Sequence, residues 1–166
     1  FELSVLEYVL LGRAPFLGFL ETPRAEDKHA AETALEAAGI RKFRGRALPT
    51  LSAGEKQLAC IARVLAQDPS IFLLDEPMSH LDLANTQRIC CTVEILRDKG
   101  KTIVFTTHDP NVASASADIV VMLLRGKVVA AGPIRETLTA ANIKTAYGVE
   151  AEILEGNGRP VILTRL

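Results

Sequence analysis

Apolar residues Leu3, Leu6, Val9 and Leu10 recur at helical spacing at the start of the chain, and Gly12 with Pro15 supplies a stop, so a short helix is expected over 3–11. After a polar loop at 21–24, Ala25 to Ala38 is rich in Ala, Glu and Lys, with Gly39 placed as a C-terminal cap. That predicts a second helix. A third begins at Ser52, where Ser52-Ala53-Gly54-Glu55 fits a capping box, carries Leu58, Ile61, Ala62 and Leu65 at helical intervals, and ends before Pro69.

Two short apolar runs follow, Ile71 to Leu74 between Pro69 and Pro77 and the β-branched run Thr102 to Thr106; both suit buried parallel strands. Between them Leu83 to Asp98 keeps Ile89, Val93 and Leu96 on one helical face, the length a strand-helix-strand crossover requires. Further on, Ile119 to Leu124 and Lys127 to Ala131 flank Arg125-Gly126 as a tight hairpin. A helix from Ile134 to Tyr147 and a last hairpin around Gly156-Asn157-Gly158 complete the pattern. The fold class is α/β, with a parallel-sheet core.

Composition narrows the function classes. At 166 residues and 48% hydrophobic content the chain can bury an ordinary globular core. A formal charge of −1 argues against a nucleic-acid partner, since domains that hold nucleic acid through its phosphates carry a basic excess. Arg41, Lys42, Arg44 and Arg46 form a local basic cluster read as a solvated loop face. The apolar run Ile119 to Leu124 is far short of the roughly 20 residues that span a bilayer, so membrane contact is expected only through a partner. Cys60, Cys90 and Cys91 offer neither a disulfide framework nor a metal spacing, and are expected to be small core or semi-buried residues in a reducing compartment.

Three places carry candidate chemistry. Asp75 ends a predicted strand at the edge where open α/β sheets place ligands, and a carboxylate there can hold Mg²⁺ through water; Glu76 follows it and faces differently. Asp-Glu-Pro can equally be a turn after a strand. Ser52 and Glu55 cap a helix without any ligand, yet a helix N-terminus with free amides and a glycine, Gly54, is also a phosphate site. His108 ends the Ile103-Val104-Phe105 strand. No Ser-His-Asp triad stands out.

Leu51-Ser52-Ala53-Gly54-Glu55-Lys56-Gln57, then Ile71 to Pro77, Ser79-His80-Leu81-Asp82 and Thr106-Thr107-His108 resemble, in order and spacing, the signature, Walker B, D-loop and H-loop of ATP-binding cassette (ABC) ATPases. The resemblance implies a partial P-loop NTPase fold: residues 1–50 as a helical subdomain and 51–166 as the signature helix and the C-terminal part of the ATPase core. No Gly-x-x-x-x-Gly-Lys-[Ser/Thr] loop occurs in these residues, nor the glutamine of the Q-loop, and the chain begins at Phe1; it reads as the C-terminal part of a larger ATPase. In such an ATPase the strand entering the phosphate loop would lie between the Thr102–Thr106 and Ile119–Leu124 strands.

By the same resemblance Glu76 polarises the attacking water, Asp75 serves Mg²⁺ and His108 reaches the γ-phosphate. Ser52, Ala53, Gly54 and Glu55 contact ATP held by a second copy of the subunit, and Asp82 couples the two sites; Ala53 and Glu55 depart from the common Leu-Ser-Gly-Gly-Gln. Val9 to Pro15, Thr107 to Asn111 and Gly132-Pro133 are similar to ATPases of importers for iron-siderophore, haem, vitamin B12 or molybdate. The expected partners are therefore a second ATPase subunit and transmembrane permease subunits, at the cytoplasmic face of the membrane. The alternatives are a non-hydrolysing fragment or pseudo-ATPase acting as an interaction module, and a non-transport ABC ATPase of DNA repair or translation.

Overall fold

The structure, a computed structural model, describes residues 2–164. The chain divides into two units, the first ending at Thr106 and the second beginning at Thr107.

The first unit contains α1 (Val5–Leu10), α2 (Ala25–Ala37), α3 (Ala53–Gln67), β1 (Ile71–Leu74), α4 (Leu83–Asp98) and β2 (Thr102–Phe105). Val5, Val9, Ala31, Leu35, Leu58, Ala59 and Ala62 on the first three helices are buried, as the helical spacing requires. The chain does not stop after α1. It continues as a 3₁₀ segment, Leu11–Phe16, with Pro15 inside it. Gly12 serves close packing there, since a Cβ would lie 2.2 Å from the Arg63 carbonyl oxygen of α3. Arg13 fastens this segment, its Nε 3.0 Å from Asp27 Oδ1 and its terminal nitrogen donating to the Ala66 carbonyl at 2.9 Å. The basic cluster is solvated, with Arg41 and Arg44 paired to Glu32 and Arg41 also to Glu36.

β1 and β2 pair in parallel, Ile71 opposite Thr102 through Leu74 opposite Phe105, with α4 as the crossover. Within the described residues these strands are buried on one face only. Phe72 is buried, but Leu73 is 74% exposed and Ile71 and Val104 are exposed too, because α4 and its neighbours cover only one face and strand side chains alternate. Cys60 and Cys91 are also exposed rather than core residues, lying on the outward faces of α3 and α4.

The second unit contains α5 (Pro110–Ser116), β3 (Ile119–Leu124), β4 (Lys127–Pro133), α6 (Ile134–Thr137), α7 (Ala140–Tyr147), β5 (Ala151–Gly156) and β6 (Arg159–Thr164). Both hairpins form. Arg125-Gly126 turns the first and Asn157-Gly158 the second, all four residues at positive φ, as two-residue turns matching strand twist require. The first runs two residues past the expected Ala131, to Pro133. The helix expected over 134–147 is broken, since Leu138 leaves helical geometry and Thr139 caps α7 by accepting from the Asn142 amide. Met122, Leu138, Ile143 and Ile162 form this unit's core. The three strand pairs are separate two-stranded sheets.

Candidate functional site

Most of the predicted chemistry lies in the first unit. Ser52 caps α3: its hydroxyl accepts from the Glu55 amide at 3.3 Å, and the Ser52 amide donates to Glu55 Oε2 at 2.8 Å. That amide bond is the main reason the Glu55 carboxyl is held below its ordinary range; desolvation opposes it, and the Ser52 hydroxyl, Arg46 and Lys42 each add a smaller lowering. Ser52 and Ala53 are exposed at the helix start. A helix N-terminus with open amides attracts anions, and both residues are exposed among the described residues.

Gly54 faces inward. A Cβ there would lie 2.9 Å from the His80 carbonyl oxygen, so α3 starts against the backbone of the 76–82 turn. Along that turn Gln57 Nε2 donates to the Glu76 carbonyl at 3.3 Å, and the Ser79 hydroxyl and amide donate to the same oxygen at 2.9 and 3.0 Å. Asp82 ends the turn as the N-cap of α4, accepting from the Asn85 amide at 2.8 Å. The signature segment, the Asp-Glu turn and the D-loop segment are therefore one bonded assembly.

The parallel register brings Thr106 beside Asp75. Its hydroxyl donates to Asp75 Oδ1 at 2.5 Å and accepts from the Glu76 amide at 2.9 Å. Asp75 is exposed, and Glu76, half-buried, sits at φ +43°. Its backbone is thus held at both ends in a conformation that non-glycine residues rarely adopt. Among the described residues no three His, Cys, Asp or Glu side chains cluster as a metal cage. One carboxylate is enough for Mg²⁺, which keeps its waters and takes further ligands from phosphates.

His108 is exposed in the second unit, between Thr107, whose hydroxyl accepts from the Asp109 amide at 3.1 Å, and Asp109, which caps α5. The structure thus brings Ser52, Ala53, Gly54, Glu55, Asp75, Glu76 and Asp82 into one unit and His108 into the other. Sequence reading did not assign roles to Gln57 or Thr106. Both lie inside motifs it singled out, but their function depends on which backbone atoms they meet.

A family model described as "ABC transporter" matches residues 2–79. The manganese transport system ATP-binding protein MntB of Listeria innocua is 41% identical over 148 residues, covering 89% of this chain and 61% of that protein. The ferric enterobactin transport ATP-binding protein FepC of Escherichia coli is 36% identical over 165 residues, covering 98% of this chain and 61% of that protein. Among solved structures, a metal-chelate type ABC transporter in an inward-facing conformation superposes with a TM-score of 0.85, at 29% identity, over 100% of this chain and 68% of that one. The chain therefore spans about three fifths of the length of the curated relatives.

Proposed function

The chain belongs to the ABC transporter ATP-binding family, and from that premise we propose that the complete protein is the ATP-hydrolysing subunit of an importer for a metal ion or metal chelate. The observation that carries this reading is the 76–82 turn, to which Gln57 of the signature segment is bonded at the Glu76 carbonyl and against whose His80 carbonyl Gly54 packs, with Asp75 at its start and Asp82 at its end. A phosphate-attracting helix start and an acidic strand end are fixed to one turn, as a site that alternates between nucleotide states needs.

In this reading residues 1–50 are the helical subdomain and 51–166 the signature helix with the C-terminal part of the core. Glu76 accepts the proton of the water that attacks the γ-phosphate, and His108 steadies that phosphate. Asp75, whose Oδ1 accepts from Thr106, would hold Mg²⁺, which would supply charge neutralisation on the phosphates. Ser52, Ala53, Gly54 and Glu55 close on ATP bound by a second copy, and Asp82 links the two sites. No described helix is long and apolar enough to cross a membrane. In this reading permease subunits supply the path across the membrane, and this subunit sits at its cytoplasmic face. The relatives extend the cargo beyond iron compounds to manganese, leaving a metal-containing solute as the shared chemistry.

Glu76→Gln in the complete protein tests the reading. It keeps size and hydrogen bonding but removes the base, so ATP binding persists, dimers accumulate with ATP, and steady-state phosphate release falls by about 10²–10⁴-fold. Phosphate release near the wild-type rate sinks the assignment of Glu76.

A further inference from the structure

Thr106 lies in none of the catalytic positions assigned above, yet its hydroxyl touches both halves of the acidic pair. It uses both capacities of a hydroxyl. Its proton goes to Asp75 Oδ1 and a lone pair takes the Glu76 amide. The register of the parallel pair, Leu74 opposite Phe105, is what sets residues 75 and 106 side by side.

Each bond has a separate consequence. The bond to Oδ1 fixes the Asp75 rotamer and occupies one oxygen, leaving Oδ2 as the ligand presented to a cation or its water. The bond from the Glu76 amide joins those that Gln57 and Ser79 make to the Glu76 carbonyl, so the peptide groups on both sides of Cα are held at φ +43°. The bonded backbone thereby sets the direction of the Glu76 Cα–Cβ bond. Hydroxyl-to-carboxylate bonds are charge-assisted and stronger than neutral ones.

Resting on the assignment of Asp75 and Glu76 proposed above, we infer that Thr106 is a positioning residue that orients the metal-binding carboxylate and the catalytic base through one hydroxyl. Thr106 is exposed and follows a strand, so Thr106→Val, which keeps shape and β-branching and removes only the hydroxyl, leaves packing unchanged.

The experiment uses the complete protein and Mn²⁺ in place of Mg²⁺. Mn²⁺ binding is titrated by electron paramagnetic resonance with a non-hydrolysable ATP analogue present, beside kcat and thermal unfolding. Thr106→Val weakens Mn²⁺ binding about tenfold and lowers kcat, with the melting temperature near wild type, while Thr106→Ser restores both. Asp75→Asn, run alongside, abolishes the tight Mn²⁺ site. Unchanged Mn²⁺ affinity and kcat in Thr106→Val, with Asp75→Asn defective, overturns the role of Thr106 alone. A serine variant as impaired as valine also overturns it, because a hydroxyl at this position would then not be enough to restore the function. Asp75→Asn binding Mn²⁺ normally overturns the underlying assignment. If valine lowers the melting temperature, Thr106→Ala replaces it, and the serine comparison decides in the same way.

Discussion

Gly54→Ala sets two physical effects against each other, and the structure decides between them. Alanine favours a helix over glycine by up to about 1 kcal/mol, less in the first turn, so propensity alone predicts stabilisation. Against this, the new Cβ would lie 2.9 Å from the His80 carbonyl oxygen, while ordinary contact begins near 3.4 Å, so about 0.5 Å must be found. The turn is poorly able to give it. His80 is already at φ +61°, Ser79 is bonded to the Glu76 carbonyl and Asp82 is bonded to the start of α4. Overpacking of this kind costs about 1–3 kcal/mol, leaving a net loss of roughly 1–2 kcal/mol and a melting temperature lowered by about 2–8 °C in a protein of this size. Thermal unfolding of the complete protein by circular dichroism reads it. A melting temperature equal to or above wild type shows that the turn yields freely and that the signature glycine has no packing role within its own subunit.

Two further predictions concern single contacts. The Glu55 carboxyl has its pKa lowered on folding, so its contribution is full above the ordinary value of 4.5 and is lost as pH falls through the lower folded value. The stability difference between wild type and Glu55→Gln, measured by urea unfolding, should therefore shrink steadily below that value; a constant difference contradicts it. Asn111 donates to the Ile162 carbonyl at 3.0 Å and accepts from the Ile162 amide at 2.8 Å, tying α5 to β6. Asn111→Ala leaves both backbone groups unpaired, and loses about 2 kcal/mol locally, which hydrogen exchange at the Ile162 amide reads as a roughly thirtyfold faster rate; unchanged exchange contradicts it.

What the sequence made legible was local. The capping box of Ser52 and Glu55, the two hairpin turns and the helical face of Leu58, Ile61 and Ala62 follow from neighbours a few residues apart, and all appear as expected. The motif residues were legible as a set because their order along the chain is characteristic. Properties set by distant partners were not. Parallel register decides that Thr106 meets Asp75, and nothing in either strand's pattern encodes it. The break before α7 was hidden because Thr139 reads equally as a helix residue and as a cap. The short helix α5, begun by Asp109-Pro110, was overlooked beside the chemistry of His108, although Asp followed by Pro at the first helical position is a start signal. Strand exposure could not be read from apolar composition, since a run such as Ile71 to Leu74 states what can be buried and not what covers it.

In the proposed site, Ser52 of one copy completes the site whose base is Glu76 of the other. Two variants of the complete protein test it directly. Ser52→Asp keeps a good N-cap while opposing phosphate with negative charge, and Glu76→Gln removes the base, so each alone forms inactive dimers. Mixing them and measuring ATP hydrolysis separates the arrangements. If the sites are shared, half of the dimers in an equal mixture are heterodimers, each carrying one intact site of two, and activity returns to about one quarter of wild type. If Ser52 and Glu76 serve the same copy's nucleotide, every site in the mixture is defective, and hydrolysis that stays at the level of the separate variants contradicts the account.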